Sequence, residues 1–152
     1  MVDQALKPDQ EPFVPSEPQS VAETGLSLGF LADLALKVLY FRGYVSAAEI
    51  ADEVCLPYTG VIDTVMDFLK RDQMCEVKGA SGIGRAGYQY TITAKGITRA
   101  REVLNRGQYV GPAPVPFLAY GDGIRQQPML TSSIHEDSLR DAVSHLVVER
   151  DM

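Results

Sequence analysis

The sequence predicts an α+β fold that is mainly helical, and three observations lead to this prediction. Apolar residues recur with a helical period between residues 25 and 72 and again between 94 and 106. Two short runs, MCEVKG and YQYTIT, alternate in the manner of β-strands. The glycine-rich stretch ASGIGRAG separates these two runs. The predicted order is therefore helix, short strand, helix, helix, strand, loop, strand and helix.

The first helix is predicted to run from residue 25 to residue 42, with Thr24 as its N-cap and Gly43 at its end. Asp33 and Lys37 are expected to form an i,i+4 pair on a narrow polar stripe. Apolar residues fill most of the remaining circumference, so the helix must be covered on more than one side.

Two interpretations of this apolar helix stay open. It is either the central helix of the core, or a core helix that also meets a partner or a second domain. Under the second interpretation the candidate contact residues are Phe30 and Phe41, and self-association through residues 25–42 is one form of it.

A helix-turn-helix unit is predicted next. In GYVSAAEIADEV, a short strand at residues 44–45 precedes a helix, because Ser46 and Glu49 have the spacing of a capping box. The turn CLP follows, and Pro57 suits the first turn of a third helix that runs to about Asp72. The apolar stripe of this third helix consists of Val61, Ile62, Val65, Phe68 and Leu69.

The fourth helix completes a winged-helix order of elements. Thr93 is its predicted N-cap and Gly107 its C-cap. Its predicted inward residues are Ile97, Ala100 and Leu104. The fold prediction is therefore a winged helix-turn-helix domain.

The glycine-rich loop is predicted to be a wing and not a phosphate cradle. GIGRAG, at residues 82–87, matches G-x-G-x-x-G, but a strand follows it, so no helix N-terminus would face a phosphate. The charges of the loop are Lys78 and Arg85, both positive. They either contact a nucleic-acid backbone or keep a solvated hairpin soluble, and both interpretations stay open.

The residues of the third helix do not decide whether this helix binds DNA. Its exposed positions near the N-terminus include Asp63 and Asp67, and two carboxylates facing phosphates would weaken binding. The candidate nucleic-acid contacts are Tyr58, Thr59, Lys70, Arg71, Lys78 and Arg85. The cations of the fourth helix, Lys95, Arg99, Arg101 and Arg106, form either a solvated face or a surface for acidic groups.

Charge is unevenly distributed along the chain. The net charge is −6, yet residues 24–110 hold ten basic and nine acidic side chains. A strong non-specific nucleic-acid binder is normally plainly basic, which this region is not.

No catalytic or metal-binding arrangement is recognised in the sequence, and the prediction is no enzyme and no cofactor. His135 and His145 lack cysteine or carboxylate neighbours at ligand spacing, so they are expected at the surface. Cys55 and Cys75 are expected to be buried, reduced thiols. The N-terminus shows no signal peptide and the longest apolar run is interrupted by charge, which favours a cytoplasmic protein without a membrane partner.

The chain outside the winged helix is predicted in three parts. Residues 1–23 are expected to be a disordered, acidic, proline-rich arm, residues 108–137 a proline-rich linker, and residues 138–152 an amphipathic helix that leads to a downstream domain. Within the linker, GDGIRQQP is predicted to be a loop. The candidate protein-contact residues of the linker are Tyr109, Phe117 and Tyr120.

Two segments carry a resemblance to known families. YQYTITAKGITRARE resembles the strand-to-helix segment of winged-helix proteins. Residues 24–77, followed by QYVGPAPVPFLAY, resemble the region N-terminal to the ATPase module in a group of bacterial AAA-type ATP-binding proteins. The resemblance implies that a helix such as SLRDAVSHLVVERDM leads into a nucleotide-binding core. The ATPase core and its Walker A lysine are not within residues 1–152, so no catalytic residue is carried over.

The expected function is that of a non-catalytic accessory domain that mediates protein contacts or regulation for an AAA-type ATPase. The partner would be the downstream ATPase domain or another protein. The alternative is a DNA-binding winged-helix transcriptional regulator that uses residues 58–72 and the wing at 79–87. A third hypothesis is a free-standing dimerisation module built on the first helix.

Overall fold

The computed structural model describes residues 14–80 and 84–126 and confirms the α+β, mainly helical fold class. The order is that of a winged helix. Its elements are α1 (Leu28–Arg42), β1 (Tyr44–Ser46), α2 (Ala47–Val54), α3 (Asp63–Arg71), β2 (Cys75–Ala80), β3 (Tyr88–Ile92), α4 (Ala94–Arg106) and α5 (Phe117–Gln126). Two short 3-10 turns, Ala22–Thr24 and Arg85–Gly87, precede α1 and β3.

The three strands form one antiparallel sheet in the order β1-β3-β2. Tyr90 of β3 stands opposite Val45 of β1 on one side and Val77 of β2 on the other. The register of β2 shifts between Val77 and Gly79, towards the wing. The wing is therefore the hairpin of β2 and β3, and a strand follows the glycine-rich loop as predicted.

The core is built around α1, which packs against α2, α3, α4 and the sheet. One face of α1 is fully buried and consists of Leu31, Leu34, Ala35, Val38 and Leu39. The helix-turn-helix unit adds Ile50, Val54, Val61, Ile62, Val65, Met66 and Leu69. The prediction that α1 is covered on several sides is confirmed, because three helices and the sheet lie on it.

The start of α1 differs from the prediction. Thr24 is not its N-cap but lies in the 3-10 turn, where its hydroxyl donates to the Val21 carbonyl at 2.6 Å. Gly25 then adopts a φ of +68°, which breaks the helical path. Ser27 is the actual N-cap and accepts a hydrogen bond from the Phe30 backbone.

The predicted pair between Asp33 and Lys37 does not form. Asp33 is bound by Arg99 of α4, while Lys37 is only 8% exposed and donates to two carbonyls, Gly107 at 2.5 Å and Tyr109 at 3.1 Å. The polar side of α1 is therefore the face on which α4 and the segment after it pack. The tertiary partners offer better geometry than a neighbour one turn away.

The third helix begins later than predicted. Pro57 is in extended backbone, and Gly60 has a φ of +81°, so residues 58–60 form an irregular turn instead of a first helical turn. A Cβ on Gly60 would lie 2.0 Å from the Gln19 carbonyl oxygen, because the segment before α1 packs directly against this turn. Met66 is buried, although the predicted apolar stripe did not include it. Phe68, which the predicted stripe did include, is only half-buried.

The caps of α4 are confirmed, but its inward face is rotated. Thr93 accepts from the Gly96 backbone, and the Gly107 backbone donates to Val103. Ala100 is buried as predicted. Ile97 and Leu104 are only half-buried, and the other buried residues are Gly96 and Val103.

Part of the predicted linker packs on the domain or is helical. The Ala113 backbone donates to the Val54 carbonyl at 2.7 Å, so the segment after α4 returns to the end of α2. Pro116 reaches Gly25, where a Cβ would lie 2.7 Å from its Cγ. Residues 121–126, predicted as a loop, belong to α5. The predicted helix at 138–152, His135, His145 and residues 1–13 of the arm lie outside the described residues.

Candidate functional site

The wing and α3 contact each other through one ion pair. The Arg85 guanidinium, just before β3, donates to the Asp67 carboxylate of α3 at 2.5 Å, and both side chains are about half exposed. The hydrogen bond from Arg85 to Asp67 raises the pKa of Arg85 further, so the guanidinium stays charged. The exposed face of α3 and the base of the wing therefore form one continuous surface, here called the α3–wing surface.

The turn before α3 supplies the other end of this surface. Tyr58 is half-buried and Thr59 is exposed. Burial raises the pKa of Tyr58, and the charges that act on its hydroxyl include Arg85, Asp63 and Asp67. Two of the predicted nucleic-acid contacts, Tyr58 and Arg85, therefore lie near enough to interact electrostatically.

Both carboxylates that counted against DNA binding are engaged within the domain. Asp63 Oδ1 accepts from the Thr64 backbone at 2.6 Å and from the Thr64 hydroxyl at 3.3 Å. Asp67 is neutralised by Arg85 and also lies 4.0 Å from the Lys70 ammonium. No spacing rule indicates the Arg85–Asp67 pair, because the two residues are 18 positions apart and meet only in the folded domain.

The remaining predicted cations also have carboxylate neighbours. Lys78 pairs with Glu76 of the same strand at 2.9 Å. Arg71 lies 3.8 Å from Asp72 and 5.4 Å from the centre of the Phe68 ring. Lys70 and Arg71 lie at the C-terminal end of α3, away from the Tyr58 turn. The α3–wing surface is consequently close to neutral and contains cations that local carboxylates hold in place.

The cations of α4 serve the domain itself. Arg99 binds Asp33, and Arg106 approaches the same carboxylate at 3.8 Å. Lys95 donates to the Asp72 carbonyl at 2.7 Å, and Arg101 reaches the Tyr40 hydroxyl at 3.5 Å. Lys95, Arg101 and Arg106 are nevertheless exposed, so both interpretations of this helix face stay open.

The predicted protein-contact residues are all exposed but do not form one patch. Phe30 and Phe41 lie near opposite ends of α1, about 16 Å apart along the helix. The Tyr109 hydroxyl donates to the Pro112 carbonyl. Phe117 is 84% exposed and Tyr120 is 57% exposed, both on α5.

One further exposed apolar residue of α5, Ile124, was missed. Ile124 follows Phe117 by seven positions, which is a helical spacing, but Gly121 and Gly123 favoured a loop. α5 therefore adds an exposed apolar surface that the prediction of a loop at residues 121–128 did not include.

The two thiols differ, and the prediction for one of them is wrong. Cys75 is 2% exposed, and burial raises its pKa to about 12. Cys55 is exposed, because it ends α2 in the left-handed conformation at a φ of +55°. Within residues 14–80 and 84–126 no group of three or more histidine, cysteine or acidic side chains could hold a metal ion. No helix in that part of the chain has the length and hydropathy to cross a bilayer.

Comparison with known proteins finds similar structures but no family. No family model matches the chain, and no curated protein matches it. An apo-form mutant of ZitR from Lactococcus lactis is 12% identical, with a TM-score of 0.45 over 78% of this chain and 76% of the other. A MarR family regulator from Neisseria meningitidis is 13% identical, with a TM-score of 0.46 over 83% and 75%. Likeness at this level carries no function to this chain.

Proposed function

We propose that the domain binds duplex DNA through the α3–wing surface. One observation carries the proposal. The Arg85–Asp67 contact holds the cation of the wing beside the exposed face of α3, so that helix and wing can approach one duplex together. Thr59 adds an exposed hydroxyl group at the N-terminal end of the helix, and such groups donate readily to phosphate and base edges.

Charge compensation at Asp67 answers part of the main objection to this role. Asp67 is already neutralised by Arg85, so its carboxylate does not oppose phosphates as a bare charge would. The same compensation limits the electrostatic contribution to binding. If about two phosphates are neutralised, a rise from about 50 mM to about 200 mM salt weakens binding about tenfold, far less than for a strongly basic protein.

Fluorescence anisotropy with a random-sequence duplex at these two salt concentrations tests the proposal. Arg85→Ala is expected to weaken binding and reduce the salt dependence, because it removes the cation of the wing and leaves Asp67 as a bare charge. Arg42→Ala is the matched control, since Arg42 also bridges two elements through one carboxylate, Glu53 at 2.6 Å, outside the α3–wing surface. Absence of binding at the lower salt, together with no enrichment from a randomised duplex pool, would contradict the proposal.

A second candidate function is protein contact, as in an accessory domain of an AAA-type ATPase. It is favoured by the exposed aromatic residues where α1 passes into β1: Phe41 is 63% exposed and Tyr44 is 55% exposed. The ring of Phe41 packs edge-on against Tyr40 at 5.4 Å, so it is held in position. Reading the gene beyond the codon for Met152 tests the ATPase part, because a Walker A motif in the same frame is required.

A further inference from the structure

α5 exposes an apolar surface that its own packing does not cover. Its four large apolar residues, Phe117, Leu118, Tyr120 and Ile124, are between 53% and 84% exposed. None of the ten residues of α5, all of which the structure describes, is buried. Helices shorter than about 12–15 residues are marginal in water without tertiary packing. A helix of ten residues therefore needs another segment or molecule to pack against its apolar side chains.

An open apolar cleft lies beside the same helix. It has a volume of about 890 Å³ and separates α5 from the domain. Tyr120 and Ile124 line one side, and Leu26, Leu56 and Ala113 line the other. The cleft can accept several aliphatic side chains, and two of the exposed apolar residues of α5, Tyr120 and Ile124, line it.

We propose that residues 138–150 of this chain cover α5 and fill this cleft, a role that is independent of DNA binding. Their sequence, SLRDAVSHLVVER, predicts an amphipathic helix about 20 Å long, against about 15 Å for α5. Its apolar stripe is aliphatic and consists of Leu139, Ala142, Val143, Leu146 and Val147. These side chains suit a surface of aromatic and branched residues.

The length of the intervening chain favours this occupant over a second copy. Residues 127–137 can span up to about 36–40 Å when extended, which is more than a return along α5 requires. A segment tethered in this way has an effective concentration in the millimolar range. A second molecule of the protein at micromolar concentration is about a thousandfold less concentrated than the tethered segment, so the segment is favoured.

Hydrogen exchange on the full chain tests the proposal. Leu146→Glu places a charge in the apolar stripe and is expected to reduce the protection of the amides of α5 at least about tenfold. Ser144→Glu is the matched control, because it adds the same charge outside the apolar stripe of the segment, and it should leave the protection unchanged. The molecular mass is measured alongside at two protein concentrations that differ about a hundredfold.

The possible results of this experiment show whether residues 138–150 or a second copy of the chain covers α5. Loss of protection in Leu146→Glu alone, with a monomeric mass at both concentrations, supports the proposal. Protection that is unchanged in Leu146→Glu, or is absent in the unmodified chain, overturns it. Protection that rises with concentration together with a doubled mass also overturns it, and assigns the surface to a second copy.

Discussion

Arg99 of α4 holds Asp33 of α1 through two hydrogen bonds, Nε to Oδ1 at 3.0 Å and Nη2 to Oδ2 at 2.9 Å. The pair joins residues 66 positions apart and is partly shielded from solvent. Planar, two-point pairs of this kind are stronger than single surface ion pairs. The orientation of α4 on α1 is therefore set by polar contacts as well as by the core.

Asp33→Asn is expected to lower the free energy of unfolding by about 1 kcal/mol, because it removes the charge from a partly buried two-point pair. Urea denaturation measures the change. Asp52→Asn, on the exposed side of α2, serves as the control and is expected to stay within about 0.5 kcal/mol of the unmodified protein. Equal effects of the two substitutions would show that the pair contributes nothing specific.

Lys37→Met is expected to destabilise the protein by about 1–3 kcal/mol, since it leaves the Gly107 and Tyr109 carbonyls without their donor. The effect should be largest after α4, where faster hydrogen exchange of the Ala113 amide would report release from Val54. Lys70→Met changes an exposed lysine and should leave that amide unaffected. An unchanged Ala113 amide in Lys37→Met would mean that the ammonium does not hold this segment.

Gly60→Ala is expected to cost about 3 kcal/mol or more, because the new Cβ meets the Gln19 carbonyl oxygen in addition to the strain of a positive φ. Gly43→Ala is the control. Gly43 has a similar φ of +72°, but no atom lies within 4 Å of an added Cβ, so about 1 kcal/mol is expected. Thermal or urea unfolding of both variants gives the comparison. Similar losses would imply that the segment before α1 moves aside at no cost.

The two cysteines are expected to react with a thiol reagent at very different rates at pH 8. Cys55 is exposed and should react at once, whereas Cys75 is buried, with a pKa of about 12. One fast thiol in the native state and two in denaturant are therefore predicted. Cys55→Ser should abolish the fast phase. A fast phase that survives in Cys55→Ser would contradict the burial of Cys75.

Features set by neighbouring residues could be predicted from the sequence. The capping box of Ser46 and Glu49 and the cap at Thr93 form as their three-residue spacing indicates. The core stripe of α1 is also local, because a helical period alone defines it.

Features set by the packing of distant segments could not be predicted. Asp33 had Lys37 at a favourable local spacing, yet its partner is Arg99. Nothing in the sequence near Asp67 indicated that Arg85 would be its partner. The irregular turn before α3 has the backbone of Gln19 packed against Gly60, and no local spacing in the sequence indicates this contact.

Gly25 and Pro116 lie against each other, and this contact has a consequence for any longer polypeptide that carries the fold. The segments before α1 and after α4 therefore run past each other on one side of the domain. A mechanical load applied between the parts before and after the domain would act on the Gly25–Pro116 contact, and on the packing of Gln19 against Gly60, before it reached the core around α1.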